Sequence, residues 1–227
     1  MPYQLSNIRI DVSDKIYLKD PYSSDLGRLI IKESLPLIDE LGMEKFTFRK
    51  LAAKINTTES AVYRYFENKH KLLLFYVSWY WGWLEYNLAF GTANIDSPQS
   101  RLKMSIKIVT SNFRQFPSAP FDIHSLHQVI ISESSKAYFT KEVDAENKAG
   151  LFEQYKSLAC RLALMIEAYA PGFPYSKTLV SILLESHIGQ LFFIEHLPSM
   201  SDLNQSESSR YEFYSHLIFS SISKWKK

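Results

Sequence analysis

At 227 residues with 46% hydrophobic content, the chain is long enough to bury a large core, and its seven Gly and nine Pro argue against disorder or repeats. The formal charge of +2 is nearly neutral, and the opening MPYQLSNIRIDV lacks the basic start and apolar run of a secretory signal. The single Cys160 excludes an intrachain disulfide, so a cytoplasmic location is expected; flanked by Leu158, Ala159 and Leu162, this thiol reads as buried and inert.

Residues 1–23 alternate apolar and polar side chains through Ile8, Ile10 and Val12, and again at Ile16 and Leu18 after Ser13-Asp14. That pattern predicts a short hairpin or an extended arm. Its three basic and three acidic residues favour packing on the protein over contact with a polyanion. A first helix follows, with Ile30, Ile31, Leu37, Ile38 and Leu41 as its apolar face. Pro36 lies inside it and predicts a kink, because proline removes one backbone bond and clashes with the carbonyl a turn back.

The stretch TFRKLAAKINTTESAVYRYFENKHK from Thr47 to Lys71 reads as two short helices joined by a tight turn and followed by the start of another. Thr47 can cap the first, with Leu51, Ala52 and Ile55 on its buried face. Asn56 tolerates the left-handed backbone that a tight turn needs. Thr58 can cap the second, which Val62 and Phe66 at i and i+4 would pin to the first. Its other face carries Ser60, Tyr63 and Arg64, with Tyr65 near its end; hydroxyls and a guanidinium suit phosphates and base edges. Residues 45–71 hold seven Lys or Arg against two acids, whereas residues 72–227 are balanced, so the basic character is local.

These residues carry a resemblance. Gly42, Thr47, Leu51-Ala52, the turn Asn56-Thr57-Thr58, Tyr63-Arg64-Tyr65-Phe66 and Lys69-His70-Lys71-Leu72 resemble, in uninterrupted register from about Asp25 to Leu73, the N-terminal domain of tetracycline-repressor (TetR) family transcription regulators. Asn56 departs from that pattern, where Gly is commoner. The resemblance implies that Tyr63 and Lys69 grip phosphates and that Tyr65 contacts backbone or a nearby base edge. It also implies that Arg49, Glu59, Ser60 and Ala61 read bases or lie against them. Thr47, Thr58 and Arg64 complete the expected DNA-binding set. Glu59 could accept from a cytosine amino group or serve only the helix end.

Beyond Asn68 the pattern predicts helices to about Phe90, from Ser97-Pro98 to Phe116, and over 122–135, 142–168, 175–196 and 206–225. The fold expected is all-α: an arm over residues 1–23, a three-helix helix-turn-helix domain over 24–70, and a larger helical ligand-binding and dimerisation domain over 71–227. Residues 72–95 contain one charged residue, Glu85, but read as a buried central helix and not a membrane span. Its aromatics Phe75, Trp79, Trp83 and Tyr86 form one stripe, which is core by default. The resemblance adds a cavity for a small effector, with Trp79, Trp83, Tyr86, Asn112, His124, His127, Tyr155 and Glu167 as candidate contacts. His124 and His127 could share a metal, but a third ligand is missing from the pattern, so no metal and no cofactor are expected.

Leu179, Ile182, Leu183, Ser186, Gly189, Gln190, Phe193 and Leu197 repeat at three and four, and Tyr211, Tyr214, Ile218 and Trp225 form a second stripe. The resemblance implies that the helices bearing them pair across a two-fold axis; the alternative is that both stripes serve only the monomer core. The function implied is a homodimeric repressor, bound to a near-palindromic operator in double-stranded DNA and released by an unknown small-molecule effector. No catalytic signature is present, so an enzyme is not expected. A helical enzyme or ligand carrier, or a helix-turn-helix turned into a protein-binding surface, are the rival readings.

Overall fold

The computed structural model describes residues 10–111 and 119–225; Asn112, Ile8 and the end of the helix expected to reach Phe116 lie outside the described residues. Among these residues there are ten α-helices, several single 3-10 turns and no strand. The helices are α1 Asp25–Lys45, α2 Phe48–Lys54, α3 Glu59–Tyr63, α4 Lys69–Thr92, α5 Pro98–Thr110, α6 Ile123–Glu133, α7 Val143–Lys148, α8 Glu153–Tyr169, α9 Ser176–His196 and α10 Glu207–Ser221. The all-α expectation holds. The chain forms two compact units, Met1–Tyr80 with Phe113–Glu153, and Trp81–Asn112 with Gln154–Lys227. The first therefore joins the helix-turn-helix region to α6, α7 and the start of α4, across the sequence boundary expected at residue 70.

In the first unit, Ser24 caps α1 by accepting from the Gly27 N–H at 3.1 Å. Ile30, Ile31, Leu35 and Ile38 face inward and are wholly buried. Buried hydroxyls need partners, and these have them: Tyr76 of α4 donates to the Ile31 carbonyl at 2.7 Å, while Ser34 donates to the Ile30 carbonyl. The expected kink at Pro36 is corrected. Helical backbone runs through Pro36, and the break comes at Gly42, with φ 72° and ψ 157°. Such dihedrals suit glycine alone. The N–H that follows, on Met43, donates to the Glu133 carboxylate at the end of α6, 3.1 Å away.

Among the described residues of the arm, from Ile10 onward, there is no strand and so no hairpin. Ile10, Val12 and Ile16 are buried, with 3-10 turns at Asp14–Ile16 and Pro21–Ser23. Residues 72–80 are buried throughout, so the apolar run of α4 is core. The helix expected over 142–168 is split into α7 and α8, with Gly150 between them at φ 84°.

In the second unit, Ser97 caps α5, with Pro98 in its first turn. Arg210 of α10, buried, donates to the carbonyls of Thr110 and Gln205 at 3.2 and 2.9 Å. Glu85 accepts from Ser157 at 2.6 Å and pairs with Arg161 at 3.3 Å, tying α4 to α8. Cys160 is exposed, not buried as expected: its helix position faces solvent although its sequence neighbours are apolar. α9 is, among the described residues, the one helix long and apolar enough to cross a membrane, but only a third of that stretch is buried.

Candidate nucleic-acid interface

α2 and α3 are short, and each is held by a hydroxyl cap. Thr47 accepts from the Lys50 N–H and Thr58 from the Ala61 N–H, both at 3.2 Å. Between them Asn56 adopts φ 52°, and the Thr57 N–H closes the turn on the Ala52 carbonyl at 2.9 Å. Leu51, Val62 and Phe66 are fully buried, so they fix the angle between the helices.

What this packing leaves outside is polar and basic. Arg49, Lys50, Thr58, Ser60, Tyr63 and Arg64 are exposed, and Glu59 is half-buried. Tyr63, 46% exposed, is held edge-on to Phe48 at 4.9 Å between ring centroids, which steadies the ring and leaves the phenol outside. The Thr58 and Ser60 hydroxyls lie 3.0 Å apart. Donors and acceptors on one short helix, flanked by two guanidinium groups and an ammonium, suit both phosphate oxygens and base edges. Lys50, outside the expected set, stands with Arg49 at the start of α2, its ammonium donating to the Lys45 carbonyl at 2.8 Å; its only sequence signal is its place in the basic run.

Three expected contacts need correction. Tyr65 is 4% exposed, and its hydroxyl lies 2.7 Å from that of Ser24, so it braces the domain and does not face a duplex. That hydrogen bond, joined by Lys19 near the ring, draws its phenol below the ordinary value despite burial. Ala61, 5% exposed, packs inward because it shares the face of Val62. Lys69 directs its ammonium to the carbonyls of Met43, Glu44 and Phe46 at 2.6, 3.1 and 3.3 Å, so all its donors are engaged.

The expected effector contacts are dispersed. Trp79 is buried, 4.9 Å from Phe121 between ring centroids, with His124 exposed and His127 half-buried in the same unit. In the other unit Trp83 is buried, Tyr86 stacks on Phe90, and Tyr155 stacks on Trp81 and donates to Glu185 at 2.6 Å. Burial and the Glu185 carboxylate both push the Tyr155 phenol well above its ordinary value. Glu167 is exposed. An open cavity of about 580 Å³ in the first unit is lined by charged and polar side chains, among them Lys15, Asn68, His70, Lys71 and Glu146, together with Ala145, Ala149 and Leu151, and carries none of the expected aromatic contacts.

Of the expected dimer contacts, Leu179, Leu183, Tyr214 and Ile218 are buried inside the second unit and serve its own core. The reason is the packing of α9 on α10, where Ser186 donates to the Tyr214 hydroxyl at 3.2 Å. Ile182 is exposed, and Ser186, Gly189, Gln190 and Phe193 are half-exposed.

Residues 30–74 match the family model described as bacterial regulatory proteins, tetR family. No curated protein matches the sequence. The fold is similar to the ketosteroid transcriptional regulator KstR2 of Mycobacterium tuberculosis, with TM-score 0.53 and 11% identity over 90% of this chain and 96% of that one. It is also similar to AibR in complex with isovaleryl coenzyme A and operator DNA, with TM-score 0.56 and 16% identity over 85% of this chain and 98% of that one. The capped helix-turn-helix thus lies within the segment, residues 30–74, that the tetR family model matches, and the all-α fold is similar to that of those two regulators.

Proposed function

We propose that this protein is a sequence-specific transcriptional repressor that binds a near-palindromic operator as a homodimer and leaves it when a small molecule binds the helical body. The observation that carries this reading is the outward face of α2 and α3, where Arg49, Lys50, Ser60, Tyr63 and Arg64 stand exposed on a tightly capped scaffold. Cations supply sequence-independent affinity, and the hydroxyls and guanidinium groups supply discrimination. The protein acts by binding and not by turnover, in the cytoplasm, where its DNA is.

Effector control is supported by the similarity to AibR, whose structure holds both an acyl-coenzyme A and operator DNA. An effector shifts the population only by its differential affinity for the free and DNA-bound states. Pairing of α9 is supported by its exposed apolar side chains, Ile182 among them. Two-fold symmetry would place two recognition helices on successive major grooves.

The test is selection of bound duplexes from a random pool, followed by a salt titration on the enriched sequence. The expected result is an inverted repeat whose log affinity falls linearly with log salt. Absence of any enriched sequence would overturn the reading.

A further inference from the structure

The family match begins at residue 30, yet Leu18 and Ser24 ahead of it are joined to the helix-turn-helix. Ile16 is buried beneath it, and the Leu18 N–H donates to the Tyr65 carbonyl at 2.8 Å, just past the end of α3. Carbonyls at a helix end lack partners within the helix, so the arm supplies one. The Ser24 hydroxyl meets the Tyr65 hydroxyl at 2.7 Å. At Gly27 a methyl would come within 2.4 Å of the Pro21 carbonyl oxygen and 2.8 Å of the Tyr65 ring, so arm, α1 and Tyr65 are packed without room for a side chain. The arm is therefore held at the residue that follows Arg64.

Lys19 is the exposed cation of this joint, its ammonium 5.1 Å from the centroid of the Tyr65 ring. The ammonium also hydrogen-bonds the Tyr65 phenol, and with three N–H donors it keeps others for a further acceptor. The acid beside it, Asp20, is turned to the backbone, accepting from the Tyr22 N–H at 2.8 Å. Lys15, earlier in the arm, points elsewhere and donates to the Ala149 carbonyl at 2.9 Å. The balanced charge of the arm therefore conceals an asymmetry: among its described residues Ile10, Val12 and Ile16 pack, Lys15 is tied to the Ala149 carbonyl, and Lys19 stands beside Tyr65 at the end of the recognition helix.

Resting on the DNA-binding reading above, we propose that Lys19, carried by the arm and positioned by Tyr65, is a phosphate contact of the operator complex. It extends the basic surface beyond the matched domain, next to Arg64. An ammonium acts there as a point charge on the duplex backbone and adds affinity without sequence preference.

The experiment compares the full-length protein with Lys19→Gln, Lys19→Arg and Lys15→Gln on the selected operator across a range of salt. Lys19→Gln should weaken binding about threefold to tenfold at physiological salt and lower the salt slope by about 0.9, the share of one phosphate. Its melting temperature should match that of the unmodified protein, Lys19→Arg should restore the slope, and Lys15→Gln should leave it unchanged. An unchanged slope in Lys19→Gln would overturn the inference, as would an equal loss in Lys15→Gln, which would mean only long-range charge. Failure of the unmodified protein to bind any duplex would overturn the function itself together with this contact.

Discussion

An ammonium has three protons to donate, and Lys69 spends them on the carbonyls of Met43, Glu44 and Phe46, which close the end of α1 and lead into α2. Those carbonyls follow the break at Gly42, so helical bonding cannot satisfy them all. Lys69 thus positions α2 from behind, whereas Arg49 and Lys50 stand in front. Replacing Lys69 with Met should cost about 1–3 kcal/mol in a denaturant titration, the usual range for charge-assisted bonds. Arg49→Ala should leave stability within about 0.5 kcal/mol, as for most surface positions, and should lower operator affinity. Full stability in Lys69→Met together with lost DNA binding would return this lysine to the phosphate-contacting role that its motif position implies.

At the scale of elements, what could be read in advance was local chemistry. Thr47, Thr58 and Ser97 announce helix starts because their hydroxyls bond residues three further on, and Asn56 announces the turn because few other side chains accept its backbone. Features that depend on distant partners stayed hidden. The break at Gly42 is matched by a carboxylate 90 positions beyond Met43, from whose N–H it accepts, and the inward turn of Tyr65 depends on Ser24, 41 positions earlier. The same holds for the junction of α4 with α7, where Glu146, buried, lies 3.0 Å from His70 Nε2 and accepts from Lys71 at 2.7 Å. Burial pushes the Glu146 carboxyl up, but the bonds and charges of Lys71 and His70 outweigh it, and the net shift is downward. A carboxylate with a depressed folded value contributes stability above its ordinary range and loses it as pH falls through the depressed value. Glu146→Gln should therefore lower stability at neutral pH by roughly 1–3 kcal/mol and flatten the acid limb of a plot of unfolding free energy against pH. Parallel limbs for the two proteins would show that this junction carries no such charge. Glu67, Glu142 and Lys15 also face the cavity there, and they remain in both.

For the whole molecule the decisive quantity is the number of DNA-reading heads on one operator. A single head with a five-residue recognition helix has few base contacts, so useful specificity requires a pair. The sequence stripe on α9 mixes two jobs that only coordinates separate. Leu183, 2% exposed, is core, while Ile182, 48% exposed, is free to meet a second copy. Gly189 offers further room, since a methyl there would meet nothing within 4 Å in its own chain. Ile182→Glu places a charge where the monomer is already solvated, so each subunit should fold and keep its helical signal. A two-fold contact would set that charge against its own symmetry mate or in an apolar interface, and either is unfavourable. Sedimentation should show monomers at micromolar concentration. Operator affinity should fall by about 100-fold or more as the second head becomes an independent binding event, while affinity for a half-site stays unchanged. A variant that still sediments as a dimer and holds the full operator would move the interface away from this face of α9.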